Sequence, residues 1–423
     1  MNDLLRVVTA GSVDDGKSTL VGRLLYDTKS VLVDQIEAVH RASADRGLAT
    51  PDLSLLVDGL RAEREQGITI DVAYRYFATP ARSFVLADTP GHVQYTRNTV
   101  TGASTATLAV LLVDARNGVV EQTRRHAAVL VLLGVPRLVL TVNKIDLVNF
   151  DEAVHTVIAK EFAALTGALG WVDGAVLTIP VSALHGDNVV ARSQRTPWYT
   201  GPTLLEHLDS VPVPVERDRT GLRFPVQYVI RPRTSHYADY RGYAGQVAAG
   251  IVRPGDEVVV LPGGHRSRVE RVDTPDGPLD RAGAGHSVTL LLADDLDVSR
   301  GDLIAAAATP PRQTTELDAT LCWLVERPLR ADARLLIKHG TRTTPGIVTT
   351  LGSRLDTDTL ATEPADSLQI NDIGQVSLRT AEPLPVDDYA AARATGSFLL
   401  IDPADGVTLA AGLIGGDLLS PGL

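Results

Sequence analysis

The stretch GSVDDGKSTL, from Gly11 to Leu20, decides the fold of this chain. It matches the phosphate-binding pattern GxxxxGK[ST], and it lies between an apolar segment, LLRVVTA, and a segment with helical periodicity, STLVGRLLYD. A strand before the loop and a helix after it allow successive backbone N–H groups to surround a phosphate at the amino end of the helix. A glycine turn that begins an ordinary helix is the alternative for this pattern taken alone.

Each residue type in this loop has a role in such a site. Gly11 and Gly16 permit close backbone approach, Lys17 would bridge the β- and γ-phosphates of a nucleotide, and Ser18 would bind Mg²⁺. The predicted phosphate-binding residues are Gly11, Ser12, Val13, Asp14, Asp15, Gly16, Lys17, Ser18 and Thr19.

The stretch DTPGH follows the apolar segment SFVLA and adds a second phosphate contact. Its position puts Asp88 at the carboxyl end of a strand, where it can reach the water shell of Mg²⁺. Gly91 can offer its N–H to a γ-phosphate. Thr89 and Pro90 complete this predicted part of the site.

Two further stretches predict that the base is guanine. In NKID, Asp146 offers two acceptor oxygens to the N1–H and N2 amino donors of guanine, which adenine lacks. Asn143 would brace the base and the neighbouring loop, and the stem of Lys144 would pack on the ring. In the stretch SAL, which comprises Ser182, Ala183 and Leu184, the Ala183 N–H could meet guanine O6. Alone, either stretch is more often a strand end or a turn, but four motifs in order predict a GTP site.

A segment that senses the third phosphate is predicted between these motifs. In EREQGITI, Glu63 to Ile70, Thr69 can contact Mg²⁺ and the γ-phosphate; the start of a strand is the alternative. His92 follows the γ-phosphate glycine and is the predicted catalytic residue, because it could orient the attacking water. Val13 and Ile68 are predicted apolar walls beside that water.

The texture of the chain predicts its fold class. From Leu4 to about Val211, apolar segments alternate with amphipathic ones, which predicts a mostly parallel sheet with helices on both faces. After VPVPVERDRTG, short alternating strands with glycine and proline turns predict antiparallel β barrels. We therefore expect an α/β P-loop GTPase domain at residues 1–212, then β-barrel domains at 220–309 and 313–423.

Composition limits the other possibilities. The chain has 423 residues, a net charge of −11 and no apolar run of the roughly 20 residues that cross a bilayer. Without a secretory leader, it is predicted to be cytoplasmic. Cys322, the single cysteine, excludes an intrachain disulfide and is predicted to be a buried packing residue. Neither Cys322 nor the histidines have metal-ligand spacing, which predicts no zinc site.

Together these motifs resemble the translation-factor class of GTPases, whose GTP domain precedes two β barrels. Within that class, the chain is similar to the GTPase subunit of sulfate adenylyltransferase, the CysN family, from Arg6 to about Ile414. Ser12 stands where elongation factors typically carry histidine, and Ile145 where the CysN family often has methionine. The similar stretches include GSVDDGKSTLVGRLLYD, DTPGHVQYTRNTVTGAS, EQTRRHA, SALHGDNVV, LRFPVQYVIRP and RGYAGQVAAGIVRPGDEVVVLP.

The resemblance implies a regulatory subunit that uses GTP and Mg²⁺. Its hydrolysis of GTP would drive a smaller catalytic subunit to make adenylyl sulfate and pyrophosphate from ATP and sulfate. Some relatives carry a fused adenylylsulfate kinase domain with a second phosphate loop; the sequence to Leu423 has no second loop, so none is expected.

Two alternatives stay open at this point. One is a translation-factor GTPase that delivers aminoacyl-tRNA, and the other is a scaffold that binds GTP without useful hydrolysis. From Thr220 onward, 18 Arg and 1 Lys stand against 26 acidic residues without a dense basic run. This charge balance modestly favours a protein partner over nucleic acid.

Overall fold

The computed structural model describes residues 4–45, 47, 50–57, 71–91, 96–171, 174–212, 220–232, 240–357 and 359–415. The chain divides into two compact units. The first is Met1–Pro214, with the short segment Asp356–Ala361, and the second is Val215–Leu355 with Thr362–Leu423.

A six-stranded sheet forms the centre of the first unit. Its strands are β1 (Leu4–Gly11), β2 (Ala73–Ala78), β3 (Ser83–Asp88), β4 (Leu108–Asp114), β5 (Leu138–Asn143) and β6 (Val176–Pro180). They lie in the order β2-β3-β1-β4-β5-β6, and only β2, at one edge, runs antiparallel to its neighbour. This arrangement is the mostly parallel sheet that the alternation of apolar and amphipathic segments predicts.

Helices connect these strands. The α-helices of the described residues are α1 (Lys17–Asp27), α2 (Val33–Asp45), α3 (Thr96–Ala103), α4 (Glu121–Leu132), α5 (Glu152–Ala168) and α6 (Leu204–Ser210). Short 3-10 turns occur at Leu53–Leu56 and Ile145–Val148. Within the described residues, no helix has the length and apolar character needed to cross a bilayer.

Burial explains why the central strands have no polar alternation. Every residue of β4 and β5 is buried, as expected for strands that are covered by other elements on both faces. Leu20, Val21 and Leu24, from α1, join the buried cluster that these strands form. The helix that follows the phosphate loop is therefore fixed to the sheet by its apolar face.

Two closed antiparallel barrels form the second unit. The first barrel comprises β7 (Arg223–Ile230), β8 (Gly242–Gln246), β10 (Glu257–Leu261), β11 (His265–Thr274), β14 (Ser287–Leu292) and β15 (Leu303–Ala306). Pairing of β10 with β11 closes it. Short strands β9 (Ile251–Val252), β12 (Gly277–Pro278) and β13 (Ala282–Gly283) lie outside the ring.

The second barrel has the same six-stranded closure. Its ring comprises β16 (Arg312–Trp323), β17 (Arg334–His339), β18 (Arg342–Leu355), β20 (Ile373–Val386), β21 (Ser397–Ile401) and β22 (Thr408–Ile414). Pairing of β17 with β18 closes the ring, and β19 (Thr362–Pro364) extends it. Cys322 is buried in β16, where burial raises the pKa of its thiol to about 12. The predicted fold class, with two barrels after the α/β domain, is confirmed, whereas the three domain limits stay predictions.

A buried ion pair joins the two barrels. The Arg223 guanidinium donates from Nε to Asp387 Oδ2 at 2.8 Å and from Nη2 to Oδ1 at 2.9 Å. Their side chains are 3% and 10% exposed. Burial alone would raise the pKa of Asp387, but hydrogen bonds from Arg223 and from the Thr395 hydroxyl outweigh it and lower that pKa. This double hydrogen bond therefore holds a charged pair in a nearly dry interface.

Asp387→Ala should destabilise the second unit, because it leaves the Arg223 charge buried without its partner. We expect the free energy of unfolding to fall by about 3–5 kcal/mol, measured by urea denaturation. Glu257→Ala is the matched control, since Glu257 and Arg268 form an exposed pair at 3.3 Å. That change should cost about 0–1 kcal/mol. Equal losses in the two variants would contradict a special role for the inter-barrel pair.

Candidate nucleotide-binding site

The four predicted nucleotide motifs meet at one edge of the sheet. Strands β1, β3 and β5 end at Gly11, Asp88 and Asn143, and the Ser182–Leu184 stretch follows β6. Because these strands are parallel, their carboxyl ends point the same way. Motifs that are far apart in sequence thus lie together at the carboxyl edge of the sheet.

The phosphate loop depends on glycine at Gly16. This residue caps α1 in the left-handed conformation, with φ +90°. A Cβ added there would lie 2.5 Å from Asn143 Nδ2. Only glycine satisfies both the backbone angle and this close approach without strain.

Lys17 lies folded into the loop that precedes it. Its Nζ donates to the carbonyl oxygens of Gly11, at 3.0 Å, and Ser12, at 2.7 Å. Burial lowers the pKa of this ammonium group, while the carboxylates of Asp88 and Asp15 oppose that shift. The lysine is therefore held beside the loop, as required of a group that would neutralise phosphate oxygens.

Asp15 closes the loop with its own side chain. Its Oδ2 accepts a hydrogen bond of 2.6 Å from the Ser12 N–H. Burial raises the pKa of this carboxyl, with an opposing attraction from Lys17. The sequence predicts Asp15 as a nucleotide contact, and the structure shows that its carboxylate shapes the loop.

Hydrogen bonds between β1 and the end of β3 position Asp88. Asp88 Oδ1 accepts from the Thr9 hydroxyl at 2.7 Å, and the Thr89 hydroxyl donates to Thr9 O at 2.6 Å. All three residues are buried. This exchange between β1 and β3 orients the Asp88 carboxylate beside the phosphate loop, although only Asp88 and Thr89 were predicted from the sequence.

Gly91 touches the phosphate loop directly. A Cβ on this residue would lie 2.5 Å from Lys17 Nζ and 2.8 Å from the Ser12 carbonyl carbon. The absence of a side chain therefore lets the DTPG stretch approach the loop that would hold the phosphates.

Asn143 connects the phosphate loop with the loop after β6. Its Nδ2 donates to Asp15 O at 2.7 Å, and its Oδ1 accepts from the Ala183 N–H at 2.9 Å. The bracing of the neighbouring loop predicted for Asn143 is present. The same contact uses the Ala183 N–H that the sequence assigns to guanine O6, so a base contact would have to share or replace it.

Asp114 was missed by the sequence reading, although it ends strand β4. It accepts from Lys144 Nζ at 3.1 Å and from Arg116 at 2.6 Å. Burial opposes ionisation of Asp114, but the hydrogen bonds from Arg116 and Lys144 prevail and lower its pKa to about 2. In the sequence, Asp114 follows the apolar residues of TLAVLLVDA, and an acid at the end of a strand was the signal that could have indicated it. The pairing orients the Lys144 stem that was predicted to pack on the base.

Asp146 lies on the turn after β5, where the NKID motif places it. Its Oδ2 is 3.8 Å from Nε2 of His185, in the loop after β6. Ser182 and Ala183 are buried in that loop, whereas Leu184 is largely exposed. The two loops that would read the base are thus in contact.

His126, on α4, is a further residue that the sequence reading missed. Its Nδ1 accepts the Gly11 N–H at 2.9 Å, so the proton of the neutral ring is on Nε2, 2.9 Å from the Gln122 amide. An N–H there requires the amide oxygen of Gln122 to face it. Burial lowers the pKa of His126 to about 3, with smaller effects from Lys17 and Arg125. The stretch EQTRRHA held this residue, but no spacing in it points to Gly11.

Three residues predicted for the catalytic part of the site fall outside the described residues. They are His92, the predicted catalytic residue, Thr69, the predicted Mg²⁺ and γ-phosphate contact, and Ile68, a predicted apolar wall. Val13, the other predicted wall, lies half-buried in the phosphate loop. Asp14 is exposed there with φ +65°, and Ser18 and Thr19 lie in the first turn of α1.

Comparison with known proteins identifies relatives over nearly the whole chain. Residues 2–213 match the family model of the elongation factor Tu GTP binding domain, and residues 316–415 match that of the GTP-eEF1A C-terminal domain-like family. The bifunctional enzyme CysN/CysC of Mycobacterium tuberculosis is 54% identical, over 98% of this chain and 67% of that protein.

Relatives that are named only as sulfate adenylyltransferase subunit 1 match a similar share of this chain. Sulfate adenylyltransferase subunit 1 of Methylorubrum populi is 50% identical over 97% of this chain and 87% of that protein. The protein of the same name from Laribacter hongkongensis is 48% identical over 97% of this chain and 85% of its own length. The first unit therefore contains a GTP-binding domain, and the resemblance seen in the motifs is confirmed.

Because the pKa of His126 is lowered in the folded chain, the free energy of unfolding should decrease as the pH falls. As the pH falls from 6.5 toward 3, the unfolded chain binds a proton that the folded chain rejects, so stability present above pH 6.5 is progressively lost. The contribution of this residue approaches about 1.4 kcal/mol per pH unit.

His126→Gln should therefore show a shallower loss of stability than the unmodified chain between pH 6.5 and pH 4.5, measured by urea unfolding. His40→Gln, on an exposed face of α2, is the matched control and should keep the original slope. An unchanged slope in His126→Gln would contradict the buried neutral state of the ring.

Proposed function

The chain belongs to the sulfate adenylyltransferase subunit 1 (CysN) family of GTPases, and on this premise we propose that it is the large regulatory subunit of a sulfate adenylyltransferase. In this role it hydrolyses GTP, in the cytoplasm, to drive a smaller catalytic subunit. That subunit makes adenylyl sulfate and pyrophosphate from ATP and sulfate. The observation that carries the proposal is the meeting of the phosphate loop, the DTPG stretch and both base-reading loops at one sheet edge.

Binding of GTP would use groups that are already oriented. The N–H groups at the start of α1 and the Lys17 ammonium face the loop that would hold the β- and γ-phosphates. Asp146 would accept from N1–H and the amino group of guanine, with the Lys144 stem on the ring face. Since Asn143 ties the phosphate loop to the Ser182–Leu184 loop, both ends of the nucleotide would meet one connected structure.

Mg²⁺ fits the chemistry of the side chains at this edge. Ser18 offers a hydroxyl and Asp88 a buried carboxylate oriented by Thr9, and Mg²⁺ prefers such hard oxygen ligands. We assign Ser18 as a ligand, Asp88 as a contact through water and Thr69 as a ligand in the GTP form. The ion would neutralise charge on the phosphate oxygens.

Hydrolysis needs a positioned water and a way to report its outcome. In the proposed step, water attacks the γ-phosphorus, the bond to the β–γ bridging oxygen breaks, and GDP and inorganic phosphate leave. His92 would orient that water, with Val13 and Ile68 beside it. Loss of the γ-phosphate removes the contacts of Thr69 and Gly91, so their conformations would follow the nucleotide.

Coupling to sulfate activation requires different affinities for the partner. The anhydride of adenylyl sulfate is high in energy, so its formation is unfavourable without another source of free energy. GTP and GDP forms that bind the catalytic subunit, or its intermediates, with different free energies can supply this drive. The proposed partner is therefore the small catalytic subunit of the same enzyme, in a heterodimer or a higher assembly.

The proposal is tested by purifying the chain with a sulfate adenylyltransferase catalytic subunit. Adenylyl sulfate formed from ATP and sulfate is measured with GTP, with GDP and with neither nucleotide. We expect GTP to raise the yield above the level reached with ATP alone, together with release of phosphate from GTP. An equal yield under all three conditions would sink the coupling.

His92→Ala in the same complex separates binding from hydrolysis. The variant should keep GTP binding and lose turnover by on the order of a hundredfold, because a positioned group is missing in the transition state. The gain in adenylyl sulfate should fall with it. Unchanged GTP turnover in this variant rules out the assigned role of His92.

Asp146→Asn should change the preferred base from guanine to xanthine. An asparagine keeps one acceptor for N1–H and offers an NH₂ donor to the 2-oxo group of xanthine, where guanine has an amino group. Loss of the acceptor for the 2-amino group, together with loss of the negative charge on the acceptor for N1–H, should weaken GDP binding by about a hundredfold. Competition binding with GDP, XDP and ADP measures the switch.

Asp151→Asn is the matched control for this prediction. Asp151 caps α5 by accepting from the Ala153 N–H at 2.8 Å, and its replacement should leave the order of base preference unchanged. A variant at Asp146 that still prefers GDP over XDP would show that this carboxylate does not read the base.

A further inference from the structure

We propose that Arg23, on the helix that follows the phosphate loop, is a positioning residue for recognition of the guanine base. The inference rests on the proposed GTP site and adds a residue that the motifs do not contain. Its guanidinium holds the carbonyl groups of the loop after β6, and through them the peptide that would face guanine O6.

The contacts of Arg23 run from α1 to two successive peptides of that loop. Its Nε donates to Ala183 O at 3.1 Å, and its Nη2 donates to Leu184 O. Its Nη1 is 3.4 Å from Asp27 Oδ1, one helical turn further on. Each of the three guanidinium nitrogens therefore has an acceptor, which fixes the orientation of the group.

This arrangement of acceptors requires the shape of an arginine side chain, and a positive charge alone would not be enough. The planar fork presents N–H groups in a rigid arrangement that reaches two neighbouring acceptors, whereas a lysine ammonium is a single point charge on a flexible stem. The Arg23 side chain is only 18% exposed, and its bond to Ala183 O is partly buried, whereas its bond to Leu184 O is open to solvent. Gly186, with φ +85°, brings the same loop against it: an added Cβ would lie 3.6 Å from Arg23 Cδ.

Ala183 is held from both sides by these contacts. Its N–H donates to Asn143 Oδ1 at 2.9 Å, and its carbonyl accepts from Arg23. Asn143 also reaches the phosphate loop, and Arg23 lies about 9 Å along α1 from Lys17 at 1.5 Å per residue. The contacts of Asn143 and those of Arg23 therefore both fix the loop after β6 relative to the groups that would hold the phosphates.

The consequence for binding is specific to one atom of the base. With Arg23 in place, the loop that carries the Ala183 N–H is already ordered, so a base that shares or replaces the contact of this N–H with Asn143 would bind at little further cost in ordering. Without it, the O6 contact weakens, while the contact of Asp146 with the 2-amino group, on the separate turn after β5, is retained. Selective weakening of the O6 contact would therefore indicate that Arg23 positions the loop, whereas a general loss of structure would weaken both contacts.

The test compares Arg23→Lys and Arg23→Gln with the unmodified chain. Dissociation constants are measured by competition for GDP, for 6-thio-GDP, whose sulfur is a weak acceptor, and for IDP, which lacks the 2-amino group. We expect both variants to weaken GDP by on the order of tenfold, equivalent to one well-placed hydrogen bond. The dissociation constant of 6-thio-GDP divided by that of GDP should fall toward one, because the contact with O6 is weakened. The corresponding ratio for IDP and GDP should stay unchanged.

Arg124→Lys is the matched control, since Arg124 forms a surface pair with Glu161 at 2.7 Å, away from this loop. It should leave all three constants unchanged. Equal weakening of the three nucleotides by the Arg23 variants would overturn the inference, as would an unchanged ratio for 6-thio-GDP. An unmodified chain that binds none of them overturns the proposed function itself, so the two failures are distinguishable.

Discussion

The site depends on the side-chain amide of Asn143. This amide is 1% exposed and uses both of its ends, the nitrogen toward the phosphate loop and the oxygen toward the loop after β6. A buried amide that left either group unsatisfied would cost free energy, so the two loops are held at a fixed separation. Gly16 makes the contact possible, since a side chain there would displace the amide. One buried side chain thus connects the distant loops of the proposed nucleotide site.

Much of this site could be predicted from the sequence, because each motif follows an apolar strand. The motifs predict strand ends at Gly11, Asp88 and Asn143, and these residues meet at one edge because parallel strands place their carboxyl ends together. His126 could not be predicted in the same way. It lies on a predicted helix, but its partner Gly11 is 115 residues away, and helical periodicity does not say which buried side chain reaches which peptide.

The same limit applies to the barrels. Alternating strands and glycine turns predicted antiparallel barrels, because period-two patterns are local. Closure depends on long-range pairs, such as β10 with β11 and β17 with β18, whose partners the pattern does not specify. The contact of Arg223 with Asp387 spans 164 residues, and in the sequence each is an ordinary charged residue.

The contact of Arg223 with Asp387 also restricts movement of the two barrels relative to each other. A second arginine, Arg342 at the start of β18, donates to Asp302 and Gly301 O of the first barrel, at 2.9 and 3.2 Å. Two anchors at separate points resist both sliding and rotation between the barrels. A protein that binds either barrel would therefore act on both of them together.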